Sequence, residues 1–120
     1  MEDNLSDKFF KQHLENIGIS VPVHMELKKH VVLFPPMPCC AQLAAPFWAK
    51  IIGIIENKAP KEYLIEIVVS LYDTHKTFIN KCSETMFLEN NKTSTFDIEI
   101  PHLTPTPSMY SIKINILEEV

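Results

Sequence analysis

The stretch YLIEIVVSLY, residues 63–72, decides the fold class of this 120-residue chain. Its apolar side chains are almost continuous, which is typical of a central β-strand that is covered on both faces. The four residues that follow, Asp73-Thr74-His75-Lys76, are polar and predict a turn. Working outward from this centre, we expect the rest of the chain to build a β-sheet around residues 63–72.

The last third of the chain carries two amphipathic segments. In residues 95–100 and 111–116, isoleucine or phenylalanine alternates with polar side chains at every second position. This period of two predicts strands with one buried and one solvated face. A link that contains three prolines separates them and predicts a stiff loop. Residues 77–79 and 84–88 are shorter candidate strands.

The first 18 residues predict an amphipathic helix. Ser6 is a favourable N-cap, and Gly18 lies where the cap at the end of a helix is expected. Between them, one face at helical spacing carries the apolar residues Phe9, Phe10, Leu14 and Ile17. We therefore divide the chain into this helix, residues 1–18, and a single mainly-β domain, residues 19–120.

A second helix is predicted to begin at Pro46, because proline is favourable at the first helical position, where no amide donor is needed. Its apolar stripe comprises Phe47, Trp48, Ile51, Ile52 and Ile55. Residues 19–43, in contrast, alternate or contain proline and predict extended chain. The expected fold class is α+β: mainly antiparallel β, either half of a nuclease-like barrel or a β-sandwich, with two short amphipathic helices.

One contiguous core is expected from the apolar positions of these elements. Its predicted members are Trp48, Ile51, Ile55, Ile67, Val69, Phe96, Ile98, Ile112 and Ile114. Hydrophobic residues make up 46% of the chain, which is enough to exclude disorder along its whole length. A chain of this length can bury such a core without disulfides or metal.

The charged residues are eleven lysines, fifteen acidic residues and no arginine, for a net charge of −4. Without arginine, the chain cannot form the bidentate contacts by which that side chain recognises phosphate or guanine. The lysines are scattered and form no basic stripe for a nucleic-acid backbone. We therefore expect no direct nucleic-acid partner.

Three cysteines, Cys39, Cys40 and Cys82, indicate the compartment. Their odd number and their spacing do not match the disulfide framework of a secreted domain. No signal peptide opens the sequence. A helix needs about 20 apolar residues to span a bilayer, and no apolar stretch of the sequence is that long. We expect free thiols, no membrane span, and a location in the cytoplasm or the nucleus.

Candidate chemistry is sparse. The two glycines, Gly18 and Gly53, form no oxyanion loop or phosphate cradle. The cysteines lack the paired spacing of structural zinc sites. Asp97 and Glu99 share the solvated face of a predicted strand, which is an ordinary surface arrangement. We expect no catalytic residue, no metal, no cofactor and no enzymatic activity.

The segments LFPPMPCCAQLA at residues 33–44 and LYDT at residues 71–74, with Trp48 between them, carry a family resemblance. Together they resemble the staphylococcal-nuclease-like part of extended Tudor domains, over roughly residues 30–88. That family binds methylated arginine through an aromatic cage on a preceding barrel. Only 29 residues precede His30, so no cage residue is carried over. The resemblance implies a diverged scaffold domain.

Three classes of function follow from the sequence. The first is a non-catalytic protein–protein interaction module, marked by an exposed apolar patch or an open strand edge. The second is an immunoglobulin-like β-sandwich that carries an apolar ligand in a cavity of about 300 Å³ or more, or docks a partner by an edge strand. The third is an enzyme, marked by a cleft that brings a cysteine and a histidine together.

We expect the first class, with another protein as the partner. The predicted docking residues are Phe9, Phe10, Leu14 and Ile17 on the N-terminal helix, and Tyr110, Lys113 and Asn115 on an edge strand near the end of the sequence.

Overall fold

The computed structural model describes residues 10–11, 14–34, 49–100 and 107–120. Within these ranges the chain forms eight β-strands and no helix. The strands are β1 (Phe10–Lys11), β2 (Glu15–Ser20), β3 (Met25–Phe34), β4 (Ala49–Asn57), β5 (Tyr63–Tyr72), β6 (Phe78–Leu88), β7 (Lys92–Ile100) and β8 (Met109–Glu119). The predicted α+β class is therefore wrong, and the described chain is all β.

Two four-stranded sheets pack face to face as a β-sandwich. The first sheet has the strand order β1-β3-β4-β7, and the second has the order β2-β8-β5-β6. All neighbouring strands are antiparallel except β2 and β8, which are parallel. The chain crosses between the sheets at every connection except the hairpins β3–β4 and β5–β6. Of the two mainly-β architectures expected, the sandwich is the one found.

The predicted helix over residues 1–18 is wrong wherever the structure describes that segment. Residues 10–11 and 15–20 form β1 and β2, which pair with β3 and β8. Gly18 is not a helix cap, because its amide donates a 2.9 Å hydrogen bond to the Asn16 side chain at a register shift in β2. A short helix is marginally stable alone, whereas a strand gains a ladder of hydrogen bonds from an existing sheet.

The predicted second helix is wrong as well. Residues 49–57 form β4 between β3 and β7, and their side chains alternate between buried and half-buried along the whole strand. Isoleucine stands on both faces of this strand, so its apolar pattern also fits a helix. The β-branched side chains and the two flanking strands favour the extended form. Pro46, Phe47 and Trp48 lie outside the described residues.

The strands expected elsewhere are confirmed where the structure describes them; residues 35–43 of the expected extended segment lie outside the described ranges. β5 spans residues 63–72, the predicted turn follows it, and β7 and β8 contain the two alternating segments. The candidates at residues 77–79 and 84–88 belong to the single strand β6. β5 is covered less than expected, because only its inner side chains are fully buried and its outer ones are half-buried.

The predicted core is confirmed for eight of its nine members. Ile51, Ile55, Ile67, Val69, Phe96, Ile98, Ile112 and Ile114 are all buried in one cluster that joins the two sheets. The ninth, Trp48, lies beyond the ranges that the structure covers. No helix suited to crossing a membrane occurs in those ranges.

Gly53 is required by the packing of that core. A Cβ built on Gly53 would overlap the buried ring of Phe96 and lie 2.6 Å from its Cε2. We expect Gly53→Ala to lower the free energy of unfolding by about 1–3 kcal/mol, the usual cost of overpacking. Gly18→Ala is the matched control, because a Cβ there would meet no atom within 4 Å. Equal urea midpoints for the two variants would contradict the close approach of Phe96.

Candidate functional site

A histidine and a tyrosine from opposite sheets meet inside the sandwich. Tyr110 in β8 is only 7% exposed, and its hydroxyl lies 2.6 Å from Nε2 of His30 in β3. The two rings meet edge to face, with centroids 5.6 Å apart. Burial lowers the pKa of His30 and raises the pKa of Tyr110. The pair links the sheets, and the structure places Tyr110 in the core.

Because the pKa of His30 is lowered in the folded chain, we expect the free energy of unfolding to decrease in acid. The unfolded chain protonates this imidazole near its ordinary pKa of about 6.5, whereas the folded chain takes up the proton only at lower pH. The contribution is therefore complete above about pH 6.5 and is lost as the pH falls toward the folded-state pKa. Urea unfolding at pH 7.5 and pH 5.0 will show the difference.

The control for this pH dependence is His30→Gln, whose amide keeps a hydrogen-bonding group beside Tyr110 but does not titrate. We expect the difference between the two pH values to shrink in this variant. If the variant and the wild type lose the same free energy of unfolding, another group is responsible.

The structure describes three of the four apolar residues predicted to dock a partner from an N-terminal helix: Phe10 and Ile17 lie on strands, and Leu14 directly precedes one. Phe9 lies outside the described residues, and Phe10 belongs to β1, where its backbone pairs with Phe34. Leu14 packs against the core, and Ile17 is half-buried in β2. Over residues 10–11 and 15–18, strands stand in place of the helix on which this expectation depended.

The open edge predicted around Tyr110, Lys113 and Asn115 needs a correction. β2 pairs with β8 from Met109 to Lys113, so β8 is an inner strand over this stretch. The Lys113 side chain is exposed, and the Asn115 amide donates a 3.4 Å hydrogen bond to Glu66 in β5. The three residues therefore do not form one docking edge.

Sequence reasoning missed an apolar surface on the outer face of the second sheet. Leu64 in β5 points away from the core, because its neighbours Tyr63 and Ile65 are buried. Its register partner in β6 is Phe87, which is 59% exposed. On its other side, in β8, the register partner of Leu64 is Glu118, and Leu117, which is 50% exposed, lies unpaired at the register shift beside it. We call Leu64, Phe87 and Leu117 the apolar patch.

Four glutamates surround this patch, and we call them the glutamate rim: Glu62, Glu66, Glu89 and Glu118. Glu62 and Glu66 lie two positions before and two positions after Leu64, and Glu89 lies two positions after Phe87. Glu118 is the register partner of Leu64 in β8. The nearby Lys61 is engaged by Glu119 at 3.2 Å. Within the described chain, no ion pair involves a member of the rim.

A second apolar feature is a shallow groove on the outer face of the first sheet. Its volume is about 250 Å³, and its lining is Lys29, His30, Val31, Ile52, Gly53 and Ile54. The apolar side chains of the lining are half-buried. Because the groove is open and lies outside the sandwich, it is not the cavity between the sheets that a carrier of apolar ligands was expected to have.

The reactive side chains that the structure describes are dispersed. No group of three or more histidine, cysteine, aspartate or glutamate residues in the covered ranges could hold a metal ion. Cys82 forms no disulfide there, and its thiol donates a 3.4 Å hydrogen bond to the backbone carbonyl of Glu99. Cys39 and Cys40 fall in a segment that is not described.

Comparison with family models and with curated proteins finds no match. Among solved structures, a β-glucuronidase from Bacteroides uniformis matches with a TM-score of 0.58 and 18% identity, over 69% of this chain and 10% of its own. The β-glucuronidase 2 of the same organism, covalently bound to cyclophellitol-6-carboxylate aziridine, matches with a TM-score of 0.58 and 13% identity, over 78% of this chain and 14% of its own. A DUF1425 family member from Shewanella sp. pv-4 has a TM-score of 0.41 and 13% identity, over 76% of this chain and 79% of its own.

These likenesses concern the fold alone. This chain spans roughly a tenth of the glucuronidase chains that it matches, and it is similar there to one β-sandwich portion of a much larger protein. None of the structures named above is a Tudor or nuclease-like domain. The chain is thus a small β-sandwich domain of the kind that larger proteins also contain.

Proposed function

We propose that this chain is a non-catalytic module that binds another protein through the apolar patch. The observation that carries the proposal is the exposure of Phe87, the register partner of Leu64 in β6, and of Leu117, at the register shift of the neighbouring strand β8. A contiguous apolar surface with a polar rim is typical of protein-binding sites, and aromatic side chains are enriched in them. The proposal keeps the expected compartment, cytoplasm or nucleus, because the cysteine spacing favours a reducing environment.

The other classes have weaker support. The open groove on the first sheet, at about 250 Å³, is smaller than the pockets of roughly 300–1,000 Å³ that small apolar ligands usually occupy. A cysteine-dependent reaction needs a base beside the thiol, but the hydrogen bond of Cys82 goes to a backbone carbonyl. The glutamate rim would repel the phosphates of a nucleic acid at the proposed surface.

The test is a comparison of two surface variants in a pull-down from the native source. Phe87→Ser combined with Leu117→Ser removes the exposed part of the apolar patch. Phe78→Ser is the matched control, because Phe78 is a 53% exposed phenylalanine at the other end of the same strand, β6. Urea unfolding of each variant verifies that the fold is kept.

We expect the wild type and Phe78→Ser to retain equal amounts of one partner protein. The double variant should retain at least tenfold less of that partner. A partner that all three proteins retain equally would show that binding uses another surface. Loss of the same partner from both variants would show that the apolar patch has no special role.

A further inference from the structure

The apolar patch has dimensions that select its occupant. Its three residues lie on three adjacent strands in the order β8, β5, β6: Phe87 is the register partner of Leu64, and Leu117 lies at the register shift of β8, one residue before Glu118, the partner of Leu64. Together they form a row that runs across the strands. Two strand spacings of roughly 4.8 Å make this row about 10 Å long. The side chains of an α-helix at positions i, i+3 or i+4, and i+7 cover about the same length, since seven residues rise about 10.5 Å. A helix that lies across the strands can therefore cover the whole row.

The glutamate rim lies where such a helix would have its flanks. Glu66 in β5 stands two residues after Leu64, which is about 6.7 Å from the row, and Glu62 stands two residues before Leu64, just ahead of the strand. The radius of a helix with its side chains is about 5–6 Å, so the residues beside its apolar stripe would reach these carboxylates. Glu89, just after β6, and Glu118, directly opposite Leu64 in β8, add further negative charge at this end of the sheet.

From this charge complementarity, and resting on the proposed function, we infer that the patch binds a basic amphipathic helix of another protein. The apolar stripe of the helix covers Leu64, Phe87 and Leu117, and its lysine or arginine side chains on both flanks face the glutamate rim. The apolar contact supplies most of the affinity, because ion pairs at an exposed rim contribute little each. The rim speeds association and selects against acidic segments.

Three fluorescein-labelled peptides of 18 residues test this inference with the full chain. The first contains only leucine and lysine, with leucine at helical spacing on one face. The second has glutamate in place of every lysine. The third has the leucine and lysine content of the first, but alternates them with the period of a strand. Fluorescence anisotropy at 0.05 M and 0.5 M salt measures binding to the wild type and to each variant.

We expect the first peptide to bind at least tenfold more tightly than the second and at least fivefold more tightly than the third, and to bind more weakly at high salt. Phe87→Ser with Leu117→Ser should weaken its binding at least tenfold, whereas Phe78→Ser should change it less than twofold. Changing all four rim residues to glutamine should weaken it at least fivefold, because the charges are removed and the apolar patch is kept.

Equal binding of the first peptide to the wild type and to the Phe87→Ser, Leu117→Ser variant overturns the inference. So does equal binding of the lysine and glutamate peptides, or tighter binding of the alternating peptide. If no peptide binds while the pull-down still yields a partner that depends on the apolar patch, the basic helix is wrong and the proposed function stands. If the pull-down shows no dependence on the patch, the proposed function itself fails.

Discussion

Asn57→Asp will lower the free energy of unfolding at pH 7 by about 3–5 kcal/mol, the range for an uncompensated buried charge. Asn57 is a fully buried polar residue at the end of β4. Its amide donates to the carbonyl oxygens of Lys61, Leu88 and Glu89 at 2.8, 3.1 and 3.2 Å. Its own side-chain oxygen accepts a 2.9 Å hydrogen bond from the amide of Ala59.

The cause of this loss is a reversal of polarity at one atom. Aspartate has nearly the same shape as asparagine, but it presents a second oxygen to three carbonyl oxygens that need a donor. These carbonyls belong to the β4–β5 connection and to the end of β6, so the change also removes a link between the two sheets.

The control for Asn57→Asp is Asn90→Asp in the exposed β6–β7 turn, which adds the same charge. We expect it to change the free energy of unfolding by less than about 0.5 kcal/mol, as is usual for surface positions. Equal urea midpoints for the two variants would show that the side chain of Asn57 does not carry these hydrogen bonds.

Ile67→Ala and Ile114→Ala will each lower the free energy of unfolding by about 2–5 kcal/mol, the range for removing a large side chain from a core. The two residues are register partners in β5 and β8, the inner strands of the second sheet, and both are buried. Each change removes apolar contacts and leaves a cavity that two hydrogen-bonded neighbouring strands cannot close.

Val68→Ala serves as the comparison, since it truncates the next residue along β5, on the outer and half-buried face. Its cost should be clearly smaller than that of either isoleucine variant, as measured by urea unfolding. If both isoleucine variants lose about 1 kcal/mol or less of the free energy of unfolding, the assignment of Ile67 and Ile114 to the core faces of β5 and β8 is wrong.

The local sequence pattern correctly predicts a strand wherever that pattern fits a strand and not a helix. β7 and β8 alternate cleanly, and β5 combines apolar character with β-branched side chains, so all three were predicted from the sequence. β4 was predicted as a helix because its isoleucines fit both periods. The decisive interactions are its pairings with β3 and β7, which lie far away along the chain and leave no local signal.

The apolar patch was not predictable for a related reason. Phe87 lies in the unbroken apolar run Met86-Phe87-Leu88, in which no alternation distinguishes an exposed side chain from a buried one. Leu117 follows Ile116 at a register shift of β8, and the phase of a strand changes at such a point. Exposure at both positions depends on the register with β5, which only the assembled sheet defines.

The parallel pairing of β2 with β8 also sets an order of events during synthesis. Ile19 pairs with Ile112, so the partner of β2 emerges from the ribosome only after all of the other described strands. Translation at about 5–20 residues per second separates the two strands by roughly 5–20 s. Long-range β pairing is slow in refolding too, because the closure entropy of the intervening loop precedes any gain from contacts. Until β8 arrives, β5 is paired with β6 alone and β2 has no partner, so the nascent chain is most exposed to aggregation in this interval.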